Sequence, residues 1–243
     1  MSNVCKAAQK YLSLGLSVIP IAQKAGDISA SKRPLGKWKQ YQTALATREQ
    51  LNSWFNEQPH NIALLGGQVS GNMLWLDFDC AGSYRDWANE YPDVSTTAPT
   101  QSTGKGYHVG VKTSFPTPGN QDLYFNGVHI GETRGEGGYI IAAPSVHGSG
   151  RLYEWLRPPW EAAFPVIDAL ADIGLMTKDK VGRRAAGIAD TNGQVRGDRH
   201  PKLQATIGTV LGRLATTAQP GRNTELNRAA FTLAGFIRSG ELS

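Results

Sequence analysis

Met73-Leu-Trp-Leu-Asp-Phe-Asp-Cys80 is the stretch on which the fold turns, an apolar run that ends in two carboxylates spaced i and i+2. Read as a strand, it rises about 3.3 Å per residue, so Asp77 and Asp79 point to one side with Cα atoms roughly 7 Å apart. Leu74, Leu76 and Phe78 then point to the other side, into a core. Two carboxylates at that spacing can share hard divalent cations. A strand that merely ends at a solvated acidic edge has the same pattern, so the residues on either side must decide.

Outward from this run the chain alternates short β-type segments with a few helices. Asn61–Leu65, Met73–Asp79, Tyr107–Lys112, Val128–Thr133 and Tyr139–Ala143 read as strands separated by Gly, Pro, Ser and Thr. Ser83–Glu90 reads as a helix between them. Upstream, Asn3 is placed to cap a helix whose Val4, Ala7, Ala8, Tyr11 and Leu12 recur at helical spacing, with Gly15 at its stop. Ser17–Ile21 follows as a strand whose Pro20 favours an edge. Thr47 and Gln50 form a capping-box pattern ahead of Leu51, Trp54 and Phe55. Arg134-Gly-Glu-Gly-Gly138 joins two of the strands with the glycines of a hairpin. Mixed helices and hairpins predict an α+β or mixed α/β body over residues 1–177, with α+β preferred, rather than a regular βαβ repeat.

Charge divides the chain differently. The 243 residues carry 25 Lys+Arg and 20 Asp+Glu. Residues 1–177 hold 14 basic and 15 acidic groups, whereas 178–243 hold 11 and 5, net +6. The segment 178–199, polar and rich in Gly and Ala, reads as a linker. Residues 200–243 read as a basic segment of two amphipathic helices, one marked by Leu203, Ile207, Val210, Leu211 and Leu214 and the other by Leu226, Ala230, Leu233 and Ile237. Such helices need a surface to bury against, either the body or a further domain of a longer chain. With 40% hydrophobic residues the chain is neither disordered nor fibrous. Two distant cysteines without a CxxC argue against a zinc ribbon or a disulfide framework. The absence of a run of about 18 apolar residues argues against a membrane helix, and a cytoplasmic protein is expected.

Two further elements carry chemistry. In Ser102-Thr-Gly-Lys-Gly-Tyr-His108, glycines bracket Lys105 ahead of a strand bearing His108. Backbone N–H groups at such glycines can approach phosphate oxygens, with Lys105 adding charge. It is not a Walker A loop, since Pro99 stands at the first glycine position and Gly106 replaces the magnesium-binding Ser or Thr. In Val128-His-Ile-Gly-Glu-Thr-Arg134, alternation puts Glu132 and Arg134 on one side, within reach of a common site, while Glu136 fits a surface role. Three carboxylates on sheet ends, a histidine and several cations are the parts of two-metal phosphoryl chemistry, with either water or a sugar hydroxyl as nucleophile.

Taken in order, Leu76-Asp-Phe-Asp79, Ser102–His108 and Glu132-Thr-Arg-Gly-Glu-Gly-Gly-Tyr-Ile-Ile-Ala-Ala-Pro-Ser145 resemble the three motifs of the archaeo-eukaryotic primase superfamily, in its bifunctional primase-polymerase (prim-pol) branch of plasmids and phages. Lys32-Arg-Pro-Leu-Gly-Lys-Trp38 and Asn61-Ile-Ala-Leu-Leu-Gly-Gly67 resemble that branch too, so the likeness covers most of Lys32–Ser145. It implies a core of an αβ unit facing a sheet related to the RNA-recognition fold. It implies Asp77, Asp79 and Glu132 as ligands of two magnesium or manganese ions, and His108 as a contact to the incoming nucleotide's phosphates. By their chemistry Lys105 and Arg134 join those phosphates, while Lys32, Arg33 and Lys37 are expected along the DNA. Glu132 stands where Asp is commoner, and Ala143 where a second proline is. The segment Gly221–Phe231 is similar to helices that follow such cores, often ahead of a helicase. The expected activity is DNA-dependent nucleotidyl transfer from dNTPs or NTPs to a primer on a single-stranded template, in plasmid or phage replication.

Two other readings compete. Gly66-Gly67 followed after nine residues by Asp77-Phe-Asp79 also satisfies the loop-and-carboxylate pattern of polymerase-beta-type nucleotidyltransferases, but leaves Gly104–His108 and the later glycines without a role. A non-catalytic replication-initiator module would use Lys32, Arg33, Lys37, Trp38 and the tail to hold DNA. It would gain nothing from clustered carboxylates.

Overall fold

The structure is a computed structural model that describes residues 1–178, apart from 25, 57 and 59. The expected helical segment 200–243, and the linker 178–199 beyond its first residue, lie outside the described residues. The chain divides into two compact units, and the first, Met1–Leu123 with His129–Thr177, contains every residue expected in the site.

Helix α1 (Asn3–Ser13) starts on Ser2, whose hydroxyl accepts from the Cys5 N–H, one residue before the expected cap. It buries Cys5, Ala8 and Tyr11. Strand β1 (Val18–Ile21) and strand β2 (Asn61–Leu65) flank helix α2 (Arg48–Asn56). The capping box ahead of α2 forms as expected, with Gln50 Oε1 accepting from Thr47 N–H at 2.8 Å and Thr47 Oγ1 from Gln50 N–H at 3.3 Å. Then come β3 (Met73–Phe78), α3 (Ala81–Glu90), α4 (Pro92–Ser95), β4 (Thr100–Ser102), β5 (Tyr107–Thr113), β6 (Asp122–Phe125) and β7 (Val128–Arg134). The series closes with β8 (Tyr139–Ala142), β9 (Glu154–Arg157), β10 (Val166–Ile167) and β11 (Leu175–Thr177).

These strands make two sheets, and the fold is α+β as expected. The smaller sheet runs β1-β2-β8, antiparallel, with Pro20 on its edge strand where a missing N–H does no harm. The larger runs β11-β6-β7-β3-β5-β4-β9, with β10 pairing parallel to β5. The glycine segment 135–138 is therefore not a hairpin. It carries the chain from β7 in the large sheet to β8 in the small one, because apolar β8 finds its register against fully buried β2. A hairpin does form at β4–β5, closed by Thr103–Gly106, where Thr103 N–H donates to Gly106 O.

Strand β3 shows why the opening stretch matters. On one face Leu74, Leu76 and Phe78 are buried with Val109 and Val111, and α3 covers them through a Phe78–Trp87 ring contact at 5.1 Å. On the other face Met73 and Trp75 join residues of α1, α2, β1, β2 and β8 in one core. Gly110, opposite Trp75, makes room for that indole, since a Cβ there would come within 2.6 Å of the ring. The core ends at Trp75, and the same face continues past it as Asp77.

Gly66-Gly67, which suggested the polymerase-beta reading, sits between β2 and β3 and receives another part of the chain. The Glu136 carboxylate accepts from Gln68 N–H at 3.0 Å, and a Cβ on Gly66 would overlap the Arg134 carbonyl. These glycines pack against 134–136.

Candidate active site

Ladder register builds the site. Asp77 on the central strand β3 stands directly opposite His108 of β5 and directly opposite Glu132 of β7. Gln101 of β4 stands opposite His108. Four side chains thus form one row across four strands, on the face where the apolar core stops. Directly opposed residues of an antiparallel pair have Cα atoms about 4.5–5.5 Å apart, so Asp77 and Glu132 come together without long side-chain reach. Asp79 lies just beyond β3 and holds the line of the ladder by donating its N–H to Ile130 O at 2.9 Å.

Two glycines permit this packing. A Cβ on Gly106 would lie 1.8 Å from the Phe78 carbonyl oxygen, and one on Gly131 1.8 Å from that of Asp77. The neighbours of β3 can approach its end from both sides only without side chains. A Cβ on Gly104 would meet the His147 ring at 2.9 Å. Close packing thus accounts for the missing side chains at Gly104 and Gly106.

Basic side chains thread the row. His108 Nε2 lies 3.2 Å from Asp77 Oδ1, and Arg134 Nε 3.6 Å from Asp77 Oδ2. Arg134 Nη2 lies 2.7 Å from Glu132 Oε2, so one guanidinium bridges the two facing carboxylates. Lys105 Nζ lies 3.0 Å from Asp79 Oδ1, in an exposed pair that contributes little to stability and raises the Lys105 pKa chiefly through that hydrogen bond. Burial alone would raise the Asp77 carboxyl. The facing His108 imidazole, then Arg134 and Lys32, outweigh it and hold the group at about 2, against an ordinary 3.8.

That depression makes the ionised Asp77 a stabilising group. Its contribution is fully present above about pH 4 and is lost as pH falls through about 2. The stability gap between wild type and Asp77→Asn, followed by urea unfolding, is therefore expected to be widest above pH 4 and to close toward pH 2. A gap independent of pH over that range contradicts the depressed ionisation.

A cleft of about 250 Å³ opens at this row, lined among others by Lys32, Trp38, Asp77, His108, Arg134 and Tyr139. Trp38 and Tyr139 meet edge to face at 5.4 Å, and the Tyr139 hydroxyl donates to Lys32 O at 3.0 Å, fixing the loop that carries Lys32. Of the three cations expected along the DNA, only Lys32 lines the cleft, while Arg33 and Lys37 are exposed outside it. Sequence reasoning missed Gln101 and Tyr153. Tyr153, 4% exposed, also lines the cleft, and its ring stacks on His108 at 6.1 Å. Its hydroxyl has no hydrogen-bond partner among the described residues, and burial and the Asp77 charge push its pKa well up, so it is a neutral donor. The one available signal was the period-2 approach of Tyr153 to Trp155 after the Gly148–Gly150 turn.

Asp77, Glu132 and Asp79 offer only hard oxygen donors, which suit magnesium or manganese by class. Among the described residues no three such groups stand assembled as a cation cage. Arg134 occupies the bridging position between Asp77 and Glu132, so a divalent cation entering there would displace it.

No helix among the described residues is long and apolar enough to cross a membrane. No curated protein matches the sequence. The family described as bifunctional DNA primase/polymerase, N-terminal, matches residues 8–172, a span that contains the whole row and both sheets up to β10. With more than half of its length matched and the row assembled on the matched sheet, the chain belongs to the bifunctional DNA primase/polymerase (Prim-Pol) family, and its family role is that of a primase/polymerase in DNA replication.

Proposed function

We propose that the chain is a metal-dependent nucleotidyltransferase that adds dNTPs or NTPs to a primer 3′-hydroxyl on a single-stranded DNA template. The observation that carries this reading is the row His108–Asp77–Glu132, set across three strands, of which His108 and Asp77 line a basic, aromatic-walled cleft in a Prim-Pol chain. Asp77, Glu132 and Asp79 would hold magnesium or manganese. Bound there, the ions would ease deprotonation of the attacking hydroxyl and neutralise the departing pyrophosphate. His108 donates from Nε2 to a phosphate oxygen, and Arg134, released from the carboxylates, follows the triphosphate charge. Lys105 pairs with Asp79. Lys32 supplies a further positive charge, and the Trp38–Tyr139 wall a flat apolar surface against which a base or sugar can lie. Arg33 and Lys37, outside the cleft, are positioned for template phosphates. A helicase domain or partner acting with this core fits the replication role.

Extension of a labelled primer on a single-stranded template tests the reading. Product growth is expected to require magnesium or manganese and a template, and to vanish in Asp79→Ala. Absence of growth with any nucleotide or metal, while DNA is still bound, overturns it in favour of a binding module.

A further inference from the structure

We propose that Gln101 is a positioning residue that dictates which nitrogen of His108 carries the ring proton, and so makes Nε2 a hydrogen-bond donor facing the cleft. Gln101 is fully buried, and its amide reaches from β4 of the large sheet to the backbone of the small sheet. Ala143 N–H donates to its Oε1 at 3.0 Å, while its Nε2 donates to Ile141 O at 2.7 Å and lies 2.7 Å from His108 Nδ1. The orientation of the amide is not free. Turned over, it would set its oxygen against the Ile141 carbonyl and its NH₂ against the Ala143 N–H.

With the amide fixed, the NH₂ can only donate to His108 Nδ1, which must therefore present a lone pair. The neutral ring then carries its hydrogen on Nε2, 3.2 Å from Asp77 Oδ1. Turning the ring over would put carbon atoms at both contacts, and the side chain is 8% exposed with Tyr153 stacked on it. One nitrogen is thus capped and the other protonated, which closes His108 to metal ligation and to service as a base at either nitrogen. What remains is donation toward Asp77 or toward a substrate oxygen that takes its place. The same constraint reaches further back, because Trp155 Nε1 donates to the Tyr11 hydroxyl at 2.6 Å and that hydroxyl donates to Ala143 O.

The tautomer stands on the geometry alone, whereas its effect on nucleotide use rests on the function proposed above. Long-range proton–nitrogen NMR of the protein labelled at its histidine ring nitrogens tests the first, with the His108 signals assigned by their loss in His108→Asn. In wild type at neutral pH, a protonated Nε2 and a bare Nδ1 are expected, unchanged on adding magnesium alone. In Gln101→Glu, whose carboxylate accepts where the amide donates, the proton is expected on Nδ1. A wild-type spectrum with the proton on Nδ1, or metal-induced shifts at a ring nitrogen that mark ligation, overturns the proposal whether or not the variant folds. In primer extension, Gln101→Glu is expected to raise the nucleotide KM by about 10-fold with a smaller change in kcat. An unchanged KM alongside a moved proton overturns the positioning role, whereas wild-type inactivity alongside the expected spectrum counts against the proposed function instead.

Discussion

Asp77→Asn is expected to lower primer extension by about a thousandfold or more, equivalent to several kcal/mol of transition-state stabilisation. Asparagine keeps the size of the side chain and still accepts from His108 Nε2–H, so the row keeps its hydrogen bond and loses its charge. In the reaction proposed above, a divalent cation would then have only Glu132 and Asp79, one bridged to Arg134 and the other half-exposed beside Lys105. The variant also removes the charge that His108, Arg134 and Lys32 stabilise by holding the Asp77 carboxyl at about 2, at a cost in stability of about 2 kcal/mol. A melting temperature only modestly lowered, together with nearly complete loss of turnover, is the expected pair of results. Full activity in Asp77→Asn removes the row from the chemistry.

Gly131→Ala is expected to have the largest effect on the fold. Its Cβ would lie 1.8 Å from the Asp77 carbonyl oxygen, and Gly131 has φ +153°. No flexible side chain can yield there, because the obstacle is the backbone of the central strand. Either β7 moves away from β3 or the pairing at Asp77 and Glu132 breaks, with an expected loss of about 3 kcal/mol or more by urea unfolding. Gly15→Ala is the control. That glycine also has a positive φ, +77°, but nothing lies within 4 Å of its Cβ, so only backbone strain of about 1 kcal/mol is expected. Equal losses at the two positions contradict the close approach at the end of β3.

Periodicity reached the strands that are long and apolar enough to show it. Asn61–Leu65 coincides with β2, and the expectations around β3, β5, β7 and β8 differ from the structure by a residue or so at their ends. It did not reach β4, β6, β9, β10 or β11, which have two to four residues each and owe their form to pairing within the sheet. Nor does alternation name a partner. The glycines after Arg134 look the same whether they turn a strand back on itself or send it to another sheet, and the difference lies in the apolar edge of β2, far away in sequence. The carboxylates, His108 and Arg134 could be singled out because their residue types, order and spacing match the parts of metal-assisted phosphoryl chemistry. That His108 and Glu132 flank Asp77 in one row depends on register, which pairing alone sets. Gln101 was invisible for the opposite reason, since a glutamine in a polar stretch looks solvated until the structure buries it.

The strand that completes the small sheet is also the last of its three to be made. On the ribosome β1 and β2 can pair as soon as both have emerged, but β8 follows only after the chain from Met73 to Arg134. At roughly 5–20 residues per second, β2 therefore waits for several seconds with one hydrogen-bonding edge open, made of residues that the finished protein buries completely. Nascent chains halted between Leu65 and Tyr139 should be the form of this protein that chaperones hold most tightly and that aggregates most readily.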